Sequence, residues 1–503
     1  MSTTLSATAP APPTTKPRAV VLAMCACVLV TQSLVAAINL AIPKLSASAL
    51  HPSSAQLLWI VDAYVIVFAG LLIPAGALGD RYGRKGVLLS GLAVFTVGAA
   101  GCALAPSVPV LLAARAVCGL GAALVLPGTM ALLLYAVPAE RRGAAVASWS
   151  SAIAVGGVLG NAGGALVLQY LPWQGLFWMY VPLGAALLAF SAHSAPRVPR
   201  HAAALDLPGS GLLILGCVAL LYGIIEGPEL GWGSTATLGA FALSAVLLAV
   251  FVRHELRVAA PLLDPRLFRL PKVRAGALGV AAAFFGMFAL FYVNAQFLQY
   301  VKGFSALRAG FAVLPLAFGM MLVTQRSMRW AARIGAAATV ATGLVSIAGG
   351  LLLLSTANSG TPYPLYACYM LVLAFGAGMA MPSLSHAIVT SLPQHRAGVG
   401  SALNTAAREL GTALGVAAVG TALSTGFASR LPAPLAGHAD STAATFAAAT
   451  RLGVRAHTEA VTAFTHATAD GYRVVAALLL VLTVAVAAGL RRGGTAQVGE
   501  PAL

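Results

Sequence analysis

Apolar residues along this chain do not recur at every third or fourth position, as they do on the buried face of a surface helix. They fill whole runs, separated by short stretches rich in Arg, Lys, Gly and Pro. A run of about 20 such residues is long enough for one α-helix to cross the hydrocarbon core of a bilayer. By that criterion helices are predicted near 19–42, 57–78, 87–106, 109–137, 143–168 and 175–194, then near 207–226 and 235–252. Six more are predicted near 275–299, 307–325, 332–355, 364–387, 397–424 and 473–490. The pattern reads as an all-α membrane protein of about 14 transmembrane helices, two six-helix halves plus two extra helices between them. An even number of crossings puts both termini on one side. The first run follows Lys16 and Arg18, exceeds a signal-peptide core and is not followed by a clear cleavage site, so it reads as a retained helix.

The divisions follow from the breaks. Residues 1–18, rich in Thr, Pro and Ala, read as a disordered tail, and 491–503 as a second tail. The N-terminal half is 19–198. Residues 199–270 hold the two inserted helices and a basic linker with Pro261 and Pro265 near its end and Pro271 just after it. The C-terminal half is 271–490, with a long outer loop at 427–471 that carries His438, His457 and His466 and has room for a short amphipathic helix. Pro74, Pro127, Pro315 and Pro382 lie in or beside spans, where they are expected to kink helices.

Composition and charge agree with lipid as the solvent. The chain is 59% hydrophobic and 9% charged, against about 25% charged in soluble domains. A net charge of +17 would suit a nucleic-acid binder, but the charges sit in short clusters between apolar runs, so no nucleic-acid partner is expected. With the N-terminus cytoplasmic, Lys and Arg fall in cytoplasmic segments except for a few. Lys44, Lys302 and Arg308 are in short outer loops, Arg115 and Arg408 are inside spans, and Arg430, Arg451, Arg455 and Arg473 are in or bordering the long outer loop. This is the distribution of the positive-inside rule. The six cysteines have neither metal-site nor disulfide spacing. No cluster of His, Cys, Asp or Glu suggests a metal or nucleophile, and no phosphate-binding Gly-rich Lys-Ser or Lys-Thr loop is present.

Few groups inside the spans carry chemistry. Asp62 and Glu409 are the acids well inside predicted helices, with Glu226 near the end of one. Carboxyls in apolar surroundings can bind and release protons near neutral pH. Arg115 and Arg408 are the intramembrane cations, and Arg408 and Glu409, being adjacent, face about 100° apart on a helix and need not pair. Gly156, Gly160 and Gly164 share one helix face and predict close packing of a second helix, with Asn161 a polar group beside them. After the second span comes Gly76-Ala-Leu-Gly79-Asp80-Arg81-Tyr-Gly83-Arg84-Lys85, a tight loop of glycines, one acid and three cations.

That loop resembles the signature between helices two and three of the major facilitator superfamily. The helix count, Trp59-Ile-Val-Asp62-Ala-Tyr64, Leu207-Pro-Gly209, the stretch from Gln299 to Pro315 and Asn404 to Gly415 resemble its fourteen-helix drug:proton antiporter branch, and the likeness covers most of the chain. The resemblance implies a substrate bound between two six-helix halves near the bilayer midplane. It implies proton transfer at Arg115, a conformational latch at Gly76, Gly79, Asp80, Arg81, Gly83, Arg84 and Lys85 with Arg141 and Arg142, and an antiporter motif at Gly156, Gly160, Asn161 and Gly164. The chain departs from that pattern at five places. Cys118 replaces a Gln, Asn161 a Pro, Ala165 the motif's final Gly, Leu34 an acid, and Trp173-Gln174-Gly175 with Tyr180 the usual Trp-Arg-Trp and Asn.

The expected function is proton-coupled efflux of a small amphipathic or cationic compound across the inner (cytoplasmic) membrane by alternating access, with both termini cytoplasmic. Asp62, Glu409 and Arg115 would serve proton coupling or cation recognition. Asn39, Tyr64, Asn404 and Arg408 are substrate-pocket candidates. No cofactor, metal or enzymatic activity is expected; the proton gradient supplies the drive, and the monomer is the functional unit. The alternatives are an uncoupled facilitator or importer on the same fold, and a non-transporting sensor or partner subunit.

Overall fold

A backbone crossing lipid must satisfy its own hydrogen bonds, and the helix does so within one segment. The computed structural model describes residues 17–200, 206–259, 261, 263–391, 397–439 and 441–496, and among these it contains helices and no strands. The first six long helices are α1 (Pro17–Ser46), α2 (Ser54–Tyr82), α3 (Arg84–Ala103), α4 (Val108–Ala136), α5 (Arg142–Tyr170) and α6 (Trp173–Ser194). α7 (Leu207–Leu230) and α8 (Thr235–Glu255) follow. Then come α9 (Pro271–Gln296), α10 (Ala306–Phe311), α11 (Leu314–Ile334), α12 (Ala336–Leu354), α13 (Tyr363–Thr390) and α14 (Ala397–Ala428). Two short helices, α15 (Ala433–Ala436) and α16 (Thr442–Leu452), precede the closing α17 (Val454–Ala496). Fourteen segments are long and apolar enough to cross a membrane.

Caps set the helix starts. Ser53 and Gln56 form a reciprocal capping box at α2, and Ser234, Ser305 and Ser441 cap α8, α10 and α16. The α2–α3 and α11–α12 junctions are each a single glycine with positive φ, Gly83 (107°) and Gly335 (88°), a conformation costly for any residue with a Cβ. α7 and α8 pair with each other, and α7 rests on α2 and α14, which bridge the two sets of six crossings.

The helices meet through glycine. Along α5, Gly156, Gly160 and Gly164 step against Leu29, Ser33 and Ala37 of α1. A Cβ on Gly156 would stand 2.7 Å from the Leu29 carbonyl oxygen, one on Gly160 2.7 Å from Ser33 Cα, and one on Gly164 3.0 Å from Ala37 Cβ. The same arrangement recurs in the second set. Gly411 and Gly415 of α14 press on α9, where a Cβ would come within 2.8 Å of Ala281 Cα and 2.9 Å of Phe285 Cα.

Two expectations are corrected. The outer loop 427–471 is mostly helical: α15 and α16 fold over the bundle, and α17 begins at Val454, well before its apolar stretch. Its early turns hold together through an Arg455–Glu459 pair one turn apart and through Phe464, which packs on Phe427 and Phe446. Pro315 does not kink a helix. It lies in the first turn of α11, where its missing N–H costs nothing, whereas Pro74, Pro127 and Pro382 are inside α2, α4 and α13. Of the expected tails, residues 1–16 and 497–503 lie outside the described residues.

Close approach at Gly160 makes that position intolerant. Gly160→Ala must displace α1 backbone, at a cost of about 1–3 kcal/mol. Gly163→Ala on the same helix meets only Met179 Sδ, at 3.8 Å. Thermal melting in detergent is expected to show a clear loss for Gly160→Ala and none for Gly163→Ala.

Candidate functional site

A cavity of about 250 Å³ lies between the two sets of helices. Its walls are α1, α5, α9, α10–α11 and α14. One wall is a stripe of rings from α9, Phe284, Phe288 and Phe291, with Phe288 centred 5.9 Å from Phe284 and 5.4 Å from Phe291. Opposite, Gln32 of α1 and Asn161 of α5 bring side-chain amides. The Gln32 amide nitrogen is buried and, among the described residues, has no hydrogen-bond partner. Asn161 spends its amide on the Gly157 carbonyl of its own helix, at 3.0 Å.

The charge in this cavity is an ion pair. Arg408 Nη2 lies 2.6 Å from Glu409 Oε1, Nε donates to the same oxygen at 2.8 Å, and the guanidinium stands 5.8 Å from the Phe284 ring centre. The expectation that these neighbours need not pair is therefore corrected. The arginine side chain is long enough to bend around the helix, and in an apolar wall an unpaired charge of either sign is costly.

The other intramembrane pair is arranged differently. Arg115 is fully buried, so it does not reach the interface. Nε donates to the Ile60 carbonyl at 2.8 Å, Nη2 to Val61 at 3.3 Å, and the guanidinium lies 4.9 Å from the Tyr64 ring centre. Asp62 is also fully buried, and among the described residues neither of its carboxyl oxygens meets a donor. It lies outside the cavity wall. Glu226 accepts a hydrogen bond from Trp59 Nε1 at 3.0 Å, tying α7 to α2.

Of the pocket candidates, Arg408 lines the cavity and three do not. Asn39 donates to its own helix at Val35 (3.5 Å), the Tyr64 hydroxyl donates to the Thr31 carbonyl (3.1 Å), and Asn404 accepts from Ser385 (3.0 Å). Each is turned into helix packing. The residues that sequence reasoning left unassigned are Gln32 and the α9 rings; the rings repeat at three- to four-residue spacing on one face, a signal that does not say whether lipid or a cavity lies beyond.

The expected tight loop at Gly76–Lys85 is corrected: the segment is the end of α2, the single junction residue Gly83 and the start of α3, and it borders a second cavity of about 500 Å³ that reaches Thr405 of α14. Asp80 pairs with Arg84 at 2.6 Å, one turn along, and Lys85 donates to the Ala192 carbonyl near the end of α6 at 2.7 Å. Gly76 faces Pro127, and Arg81 is exposed over the Tyr82 ring. Arg141 and Arg142 are exposed at the α4–α5 turn; the partner of Asp80 is Arg84. On the opposite side the two sets of helices touch. Gly310 of α10 presses on α5, where a Cβ would come 2.9 Å from the Asn161 carbonyl, and Ser46 of α1 meets Ser441 beside α16 at 3.0 Å.

His438, His457 and His466 do not gather. Among the described residues the ligand-type cluster is Asp206, His254 and Glu255, which corrects the expectation of none. The helices that bring these residues together are remote in sequence at 206 and 254–255.

Residues 24–416 match the sequence profile of the Major Facilitator Superfamily. The chain is 33% identical over 370 residues to the methylenomycin A resistance protein of Streptomyces coelicolor, covering 73% of this chain and 78% of that protein. It is 32% identical to the multidrug efflux pump LfrA of Mycolicibacterium smegmatis, covering 76% of each. Among solved structures, a bacterial homolog of the human lysosomal transporter Spinster, inward-facing and unoccupied, superposes with a TM-score of 0.66 over 97% of this chain and 99% of that one, at 18% identity, a likeness of fold alone. The chain belongs to the Major Facilitator Superfamily and is a multi-pass membrane transporter of small molecules, not an enzyme.

Proposed function

We propose that the chain exports a small amphipathic, aromatic compound from the cytoplasm in exchange for protons. The observation that carries this reading is the Arg408–Glu409 pair, set in the wall of a ring-lined cavity between the two halves. Rings of α9 suit an apolar, planar body, and the pair suits a polar group. A carboxylate in this position can hold either a proton or its arginine, and a substrate that engages one member of the pair changes the affinity of the other for a proton. Substrate and proton then compete for one site, which is what exchange requires. Asp62 is a second protonatable group in the first half. Resistance and efflux relatives support the direction of transport.

Alternating access is supported by the asymmetry of closure, tight at the α10 and α16 end and open beneath the Gly76–Lys85 segment. With the basic loops in the cytoplasm, the open side is cytoplasmic, both termini are cytoplasmic and the membrane is the inner one. Asp80 pairs within its own segment here and is available to change partners when this side closes. One chain contains the whole cavity, so the monomer suffices, and no cofactor is required beyond the proton gradient.

Efflux of dyes and antibiotics from cells expressing the protein is expected to stop when a protonophore is added, and to be lost in Glu409→Gln and Asp62→Asn at unchanged membrane expression. Protonophore-resistant efflux would assign a facilitator, and binding without flux in vesicles a sensor. Undiminished efflux in Asp62→Asn would remove that residue from the mechanism. The pair itself is tested by a stability cycle. Arg408→Met leaves the Glu409 charge without its partner and is expected to cost about 3 kcal/mol, with much of that loss recovered in Arg408→Met/Glu409→Gln.

A further inference from the structure

Away from the central cavity, where α7 begins and α8 ends, two acids and a histidine converge. Asp206 caps α7, its Oδ1 accepting from Gly209 N–H at 2.8 Å, and His254 Nε2 lies 2.7 Å from the same oxygen. Glu255 accepts from Leu263 N–H through Oε2 at 2.8 Å. These bonds occupy one oxygen of each acid. The others, Asp206 Oδ2 and Glu255 Oε1, are buried and without a hydrogen-bond partner among the described residues, on side chains belonging to residues only 7% and 2% exposed. Both point at Gly209, where a Cβ would collide with them. One donor atom from each of Asp206, His254 and Glu255 can be chosen so that all three lie within 4.8 Å.

Two carboxylates facing each other out of water repel strongly, so either a shared proton or a cation lies between their free oxygens. We propose that Asp206, His254 and Glu255 form a binding site for a divalent transition-metal ion of the Zn2+ type. Two carboxylates and an imidazole are ligands such ions accept, at about 2.0–2.2 Å in tetrahedral geometry, with water in the fourth position. The donors, already within 4.8 Å of one another, would rearrange around the ion, with His254 exchanging its bond to Asp206 for one to the metal. The Gly209 and Leu263 N–H groups hold the two carboxylates in place, as outer hydrogen bonds do at metal centres. The His254 side chain is 28% exposed and marks the path from solvent. An ion here would tie the start of α7, the end of α8 and the segment that leads into α9.

The test is titration of the full-length protein, purified in detergent and stripped with a chelator, with Zn2+ alone, followed by calorimetry and thermal melting. One Zn2+ per chain and a raised melting temperature are expected. His254→Gln, at a part-exposed ring, is expected to keep the fold and weaken binding about 100-fold, at the upper end of what outer partners alone contribute. Glu255→Gln should do the same, and Glu459→Gln, at a surface ion pair, should bind as the parent does. Absence of saturable binding overturns the proposal. So does parental affinity in both His254→Gln and Glu255→Gln, which would leave a proton shared between the two carboxyls, and so does loss of binding in Glu459→Gln.

Discussion

Backbone-to-backbone contact through glycine is the constraint on which the rest of the structure depends. Lipid offers helices no hydrophobic gain for associating, so they must gain by approaching closely. α5 does this on α1, and α14 does it on α9, with glycines spaced four apart in each case. These four helices are also the principal walls of the central cavity. Each rigid pair belongs to one half, so the cavity lies between two units that are stiff within themselves. In the proposed exchange, access would then change by movement of one half against the other and not by repacking inside either. The single-glycine junctions at Gly83 and Gly335 repeat this symmetry at the ends of α2 and α11.

Charge in a low-dielectric interior has to be neutralised locally, and the chain does so in three ways. Arg115 is held by backbone carbonyls and an aromatic face, leaving Asp62 without a hydrogen-bond donor nearby. Arg408 and Glu409 neutralise each other at the cavity wall. Asp206, His254 and Glu255 gather at the edge of the bundle. The first arrangement is sealed, the second faces the cavity and the third reaches solvent. Accessibility, more than charge itself, separates the functions that each can serve.

The sequence made the fold legible because run length alone distinguishes a membrane helix, and the glycine spacing named the α1–α5 contact face before the partner was known. It was less informative where a helix continues past its apolar run. α17 starts some twenty residues before its lipid-facing part because Ala, Thr and an i,i+4 ion pair are sufficient for a helix that other rings anchor. The site was legible in kind but not in position. Counting acids and arginines inside spans found Asp62, Arg115, Arg408 and Glu409, since such residues are rare and costly there. Which of them face a cavity depends on helix rotation, and a helix apolar all round leaves rotation undetermined. Asn39, Tyr64 and Asn404 were misplaced for that reason, and Gln32 was overlooked for the same one.

The missing acid at Leu34 acquires a meaning from the cavity wall. Leu34 is fully buried in packing, while Gln32, Val35 and Ala36 of the same helix face the cavity. The first half therefore contributes amides and small apolar groups, Gln32 and Asn161 among them. The second half contributes the rings, Thr412 and both charges. An acid at position 34 would have been buried in helix packing and not on the cavity wall, so the leucine there leaves the cavity's formal charge on α14. In the proposed exchange, a polar group on the substrate meets formal charge from α14 alone. The first half would then move relative to the bound compound without breaking an ion pair, and release on the far side would disrupt only the contact with α14.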